Sequence, residues 1–153
     1  MARFRIVLQE GGGKLRVVRY AGPMYERTTR NIKVTVEPRF LENQSRPDDL
    51  AFVWAYTIHL ANLGGETVTL RRRYWRITDG HGRVQEVRGP GVVGEEPTLK
   101  PGQGFQYTSG VPLSTPTGFM VGTYELESAE GENFSIDVPA FSLDSPYMQK
   151  AIN

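Results

Sequence analysis

The sequence predicts an all-β domain, an antiparallel β-sandwich of about seven strands. Three observations carry this. Apolar residues alternate with a period of two from Asn31 onward. Turn signals built on Gly, Pro and Asp-Gly recur at the spacing of a sandwich. No stretch of about 11 residues shows the period of an amphipathic helix. At 153 residues the chain has the length of one domain. No apolar run approaches the roughly 20 residues that span a bilayer as a helix.

The elements follow in order. Phe4, Ile6 and Leu8 alternate, Gly11-Gly12-Gly13 interrupts, and Leu15 and Val17 resume. That pattern fits a hairpin docked on the domain, but the favoured expectation is an unstructured arm or a segment upstream of a natural start at Met24. Ile32, Val34, Val36 and Phe40 share one parity, with Lys33, Thr35, Glu37 and Arg39 on the other. Phe52, Trp54, Tyr56, Ile58 and Leu60 form the apolar face of a longer strand. Its other face is small and weakly polar, as suits a strand with neighbours on both sides.

After Leu63-Gly64-Gly65 the apolar parity is even at Val68 and Leu70 but odd at Trp75 and Ile77. A one-residue slip would turn every side chain over, so a bulge or bend is expected within Arg71-Arg72-Arg73. Asp79-Gly80-His81-Gly82 reads as a tight hairpin turn leading to Val84 and Val87. Residues 89–104 are rich in Gly and Pro and are expected to form one long loop. Phe105 and Tyr107 mark a short strand, and Pro112 and Pro116 punctuate another loop. Val121, Tyr124 and Leu126 lie in the next strand. Phe134, Ile136 and Val138 alternate after the turn at Ala129-Glu130-Gly131, with Pro139 expected to end that strand. Phe52, Trp54, Tyr56, Trp75, Phe105, Tyr124 and Phe134 are the expected aromatic filling between the sheets.

The formal charge of +1 averages two unlike parts. Residues 1–23 hold five basic residues against Glu10, or +4. The remaining 13 basic and 16 acidic residues give −3. A domain from about residue 24 to 150 is therefore mildly acidic, preceded by a basic extension. Nothing in this balance calls for nucleic acid or a membrane surface as partner. There is no Cys, so disulfides, thiolate nucleophiles and Cys-ligated metals are excluded. A reducing compartment is permitted, and a cytoplasmic location is expected.

Two clusters are candidate binding residues. Gly89-Pro90-Gly91-Val92-Val93-Gly94 matches G-x-G-x-x-G, a pattern whose glycines let backbone amides approach a pyrophosphate. Glu95-Glu96-Pro97 follows instead of a helix, so a dinucleotide fold is not expected. A loop holding phosphate through amides near Gly89, Gly91, Val92, Val93 and Gly94 is the remaining reading. Arg71, Arg72, Arg73 and Arg76 form the strongest basic cluster, a candidate patch for an anion or an acidic partner. The only histidines, His59 and His81, lack the companions of a metal or catalytic site, and Ser109 lacks a G-x-S-x-G frame. No catalytic residue, metal ligand or cofactor is assigned.

Several stretches together resemble the ApaG family. They include Asn31 to Pro38, Phe52-Val53-Trp54-Ala55-Tyr56, Arg73 to Asp79, and the long block from Gly82 to Pro97. Pro101-Gly102, Tyr107-Thr108-Ser109-Gly110, Pro112-Leu113, Thr115-Pro116 and Pro139-Ala140-Phe141 complete the likeness over about residues 25–145. Val111 is a departure from the resemblance, which implies cysteine in many relatives after Thr-Ser-Gly. The resemblance implies an immunoglobulin- or fibronectin-III-like sandwich. It also implies a non-catalytic module for binding an unidentified protein partner, with an indirect link to cobalt and magnesium tolerance and diadenosine tetraphosphate metabolism. Its alternative implication is a phosphate or nucleotide ligand on the glycine run. Oligomeric state is left open.

Overall fold

The computed structural model describes the backbone of residues 3–11 and 14–148, with side chains from Gly22 onward. In chain order the strands are β1 (Arg3–Gly11), β2 (Lys14–Gly22), β3 (Tyr25–Thr29), β4 (Ile32–Phe40) and β5 (Phe52–Asn62). Then come β6 (Val68–Asp79), β7 (Val84–Pro90), β8 (Thr98–Leu99), β9 (Gly104–Leu113), β10 (Gly118–Ser128) and β11 (Asn133–Leu143). Two single turns of 3-10 helix, Glu42–Gln44 and Pro47–Asp49, join β4 to β5.

Nine strands from residue 25 build two antiparallel sheets. One has the order β3-β4-β5-β9; the other has β11-β10-β6-β7, with β8 pairing on β6. This is the expected β-sandwich. β1 and β2 form a two-stranded sheet of their own, in register from Arg3 opposite Gly22 to Gly11 opposite Lys14.

The period-two readings set the faces. β5 alternates buried and half-buried residues over its whole length, between β4 and β9. Its buried residues meet Val68, Leu70, Trp75, Tyr124, Leu126, Ile136 and Phe141 from the other sheet in one core. Trp54 is buried and donates its indole N–H to the Asp144 carbonyl at 2.8 Å, which ties the residue after β11 to the core.

Four local expectations are corrected. Residues 89–104 are not one long loop: β7 runs through Pro90, residues 92–95 form a tight turn, and β8 pairs with β6. β9 spans ten residues and includes Pro112, because β9 is an edge strand and an edge tolerates a residue without N–H. Pro139 lies inside β11. Gly122 faces Val138 and Met120 faces Phe141, so Pro139 and Ala140 together oppose Val121 in a bulge. A bulged edge strand is where a missing donor costs least. Finally, Phe105 and Phe134 are only half-buried, while Tyr107 and Phe141 are core residues. β4 is also more enclosed than its parity suggests. Thr35 and Glu37 are buried although their parity is opposite to that of the core residues Val34 and Val36.

Candidate functional site

The inferred bulge sits at Arg71. Across β10, Arg72 faces Glu125 but Leu70 faces Leu126, so Arg71 is the extra residue. This one irregularity sorts the basic cluster into three roles. Arg71 stands at the bend, with Nε 2.9 Å from the Glu127 carboxylate and Nη1 3.6 Å from Glu96. Arg73 shares the inward parity of Trp75. Its guanidinium donates to the carbonyls of Pro90 and Gly91 at 2.8 and 3.0 Å. Arg72 and Arg76 are exposed on the outer face.

The glycine run is built around Arg73 and its own turn. Gly89 lies opposite Arg73, and a Cβ there would come within 3.0 Å of the guanidinium. The amide of Gly91 donates to the Arg71 carbonyl at 2.7 Å. Val92 and Glu95 exchange both backbone hydrogen bonds, at 2.8 and 2.9 Å. Between them Val93 and Gly94 have φ of 44° and 79°, the signature of a type I′ turn. Val92 is fully buried and plugs the core at this end. The amides of Gly91 and Val92, two of those proposed for a phosphate, are thus engaged within the chain.

The outer face of the second sheet is different. Arg88 stacks its guanidinium 4.6 Å over the Tyr74 ring and lies 3.4 Å from Glu86. Arg72 and Arg76 flank Tyr74 on the same strand face and make no ion pair among the described residues. Toward the 79–83 turn this face becomes apolar, with exposed Val84 and Phe119 on either side of Thr78. Toward the other end it opens into a polar groove of about 1090 Å³, walled by Arg72, Tyr74, Arg88, Glu96, Thr123 and Ser135.

Sequence reading missed Tyr74 and Arg88. The signal for them was present in the hairpin turn. Asp79 accepts the amides of His81 and Arg83 on one carboxylate oxygen, which locks the turn. Counting back from it in antiparallel register places Arg88 opposite Tyr74 and Gly89 opposite Arg73.

Ser109 and the two histidines do not converge. Ser109 follows the inward parity of β9, opposite Tyr56 of β5, and His59 lies on the opposite face of the same sheet. His81 is exposed in the 79–83 turn of the other sheet. Among the described residues no three His, Asp or Glu side chains stand together as a metal site.

Between the sheets Tyr107 and Tyr124 meet hydroxyl to hydroxyl, beside Tyr56. Burial pushes all three phenols above the ordinary tyrosine range, against a smaller opposing pull from Arg73. In the unfolded chain they ionise at the ordinary value. Stability is therefore full below that value and is lost as pH rises beyond it toward the folded-state values. Ultraviolet difference absorbance during alkaline titration is expected to show these three phenolates only in step with loss of the β circular-dichroism signal. Ionisation of all seven tyrosines before unfolding would contradict the assignment.

The family model described as "ApaG domain" matches residues 42–128, more than half of the chain. The chain belongs to the ApaG domain family. Protein ApaG of Parvibaculum lavamentivorans is 58% identical over 130 residues, which cover 85% of this chain and 100% of that protein. Protein ApaG of Rhodospirillum centenum is 60% identical over 124 residues, covering 81% and 95%. The crystal structure of the putative ApaA protein from Bordetella pertussis superposes with a TM-score of 0.74 at 46% identity, covering 76% of this chain and 94% of that one. The ApaG match spans β5, β6, β7, β8, β9 and β10, so it contains the bulge, the glycine run and the Tyr74–Arg88 stack.

Proposed function

We propose that this ApaG domain is a non-catalytic protein-binding module, and that it takes an acidic segment of its partner on the outer face of β7, β6 and β10. The observation that carries the reading is a pair of exposed arginines, Arg72 and Arg76, that make no ion pair among the described residues and flank the Arg88–Tyr74 stack. Rigid strands hold them, and planar guanidinium groups suit bidentate contact with carboxylates. Exposed Phe119 and Val84 add apolar area at one end. Glu86, Glu96, Glu125 and Glu127 are interleaved with the arginines. That mixture favours a short acidic motif over a nucleic-acid backbone, which needs an unbroken positive stripe.

Phosphate or nucleotide binding at Gly89, Gly91, Val92, Val93 and Gly94 has weaker support, because two of its amides already have partners. On the favoured reading, any bearing on cobalt and magnesium tolerance or on diadenosine tetraphosphate metabolism passes through the partner, in the cytoplasm. A photoreactive residue in place of Thr123, on the groove wall, is expected to give a reproducible set of protein adducts in cells. Arg72→Gln with Arg76→Gln is expected to reduce them at least about tenfold, since interface arginines are common hot spots. Undiminished adducts, or turnover of a nucleotide by the purified domain, would overturn the reading.

A further inference from the structure

Apart from the two-residue β8, the sandwich has four edge strands, and they are not protected alike. β3 is five residues long and carries Glu26 and Arg27. β11 carries Asp137, Pro139 and the bulge. These two close on each other: Arg27 pairs with Asp137 at 3.0 Å, and the Ser142 amide donates to the Tyr25 hydroxyl at 3.4 Å. On the open side, β7 carries Glu86 and Arg88. Charge, proline, bulges and brevity are the usual devices that stop an edge from pairing with another chain. β9, on the same open side, runs ten residues from Gly104 to Leu113 without a single charge.

The hydrogen-bonding direction of β9 follows from its neighbours. Asn62 donates to the Gln103 carbonyl at 2.9 Å, so the even residues of β5 bond toward β9. Leu41 donates to the Val53 carbonyl at 2.9 Å, so the odd ones bond toward β4. Antiparallel alternation then sends the odd backbone groups of β9 into the sheet and the even ones outward. The amides of Gly104, Gln106, Thr108 and Gly110 therefore point away from β5, and all four residues are exposed. Pro112, the next outward position, has no N–H to offer, so pairing stops there.

We propose that β9 pairs antiparallel with β9 of a second copy of this chain, joining two four-stranded sheets into one across a two-fold axis. The occupant follows from the strand itself. In a register centred on Thr108, Thr108 faces Thr108 of the second copy, and Gln106 faces Gly110. Every such pair exchanges hydrogen bonds, the facing side chains are small or flexible, and no like charges meet across the axis. Pro112 falls opposite Gly104 at both ends, which fixes the length of the seam. This surface is separate from the arginine face of the other sheet.

Sedimentation equilibrium of the full chain over micromolar to millimolar concentration tests the proposal. The expected mass rises from 17.2 kDa for one chain toward twice that value. Thr108→Lys sets two ammonium groups against each other at the axis and is expected to raise the dissociation constant at least tenfold. Gln106→Lys, equally exposed, is the second variant should the first disturb folding, with circular dichroism as the check. A single-chain mass throughout overturns the proposal. So does a dimer that folded Thr108→Lys and Gln106→Lys leave intact, because it must then assemble through another surface.

Discussion

Gly91→Val is expected to cost about 3–5 kcal/mol of stability, far more than a glycine change on an exposed turn usually does. Gly91 has φ of 57°, a region that β-branched residues avoid. A Cβ there would lie 2.2 Å from the carbonyl oxygen of Glu95, a backbone atom fixed by its hydrogen bond to Val92. Relief of that clash must move the turn, and with it the buried Val92 and the two carbonyls that hold Arg73. Gly94→Ala is the matched control. Gly94 also has positive φ, but an added Cβ meets nothing within 4 Å, so only backbone strain of about 1–2 kcal/mol is expected. Guanidinium denaturation of both variants separates the two costs. Equal values would show that packing around Gly91 is not what the glycine serves. The comparison also bears on the phosphate reading, since ligand binding lost in Gly91→Val would follow from the displaced turn alone.

Much of the fold was legible because a half-buried strand writes its faces into the sequence. β5 shows this over 11 residues, and the parity change across Arg71-Arg72-Arg73 marks the bulge that the structure places at Arg71. The failures share a physical cause. Along the chain Pro112 and Pro139 look like stop signals, but the cost of a proline depends on whether the missing N–H points into a ladder. That is a property of the neighbouring strands, invisible along the chain. β3 was missed because, between Tyr25 and Thr29, it holds three exposed residues and no apolar alternation.

The candidate site was legible in composition and not in geometry. The arginine cluster was visible as a run, yet its members divide between an ion-pair bend, an inward anchor and an outer patch. Only the bulge makes that division. The G-x-G-x-x-G match was visible too, and its glycines answer local needs: room for Arg73, clearance for Glu95, and a left-handed turn residue. A short motif does not distinguish glycines required by a ligand from glycines required by the chain.

Trp75→Ala is expected to cost about 3–5 kcal/mol, lowering the thermal midpoint by roughly 10–15 °C in a domain of this size. Trp75 is buried and meets Tyr56, Tyr124 and Phe141, with ring centroids 5.4, 6.1 and 6.0 Å away and tilts of 63°, 84° and 89°. These edge-on contacts add to simple burial. The ring fits because its cross-strand neighbour is Gly122, where a Cβ would lie 2.7 Å from the indole and 2.4 Å from the Tyr74 carbonyl oxygen. Gly122→Ala should therefore destabilise as well, by overpacking rather than by a cavity. A double-mutant cycle of Trp75→Phe with Gly122→Ala divides that cost. The smaller ring relieves the side-chain clash but leaves the backbone one, so the double variant should lose less than the two single losses combined. Full additivity would show that the ring does not depend on the notch at Gly122. The same substitutions reach the outer face, because Tyr74 and Arg76 flank Trp75 on β6 and face the other way. A strand that loses its inward anchor also loosens Tyr74 and Arg76, which stand on the face proposed to meet the partner. Partner capture should fall with Trp75→Ala even at temperatures where the domain remains folded.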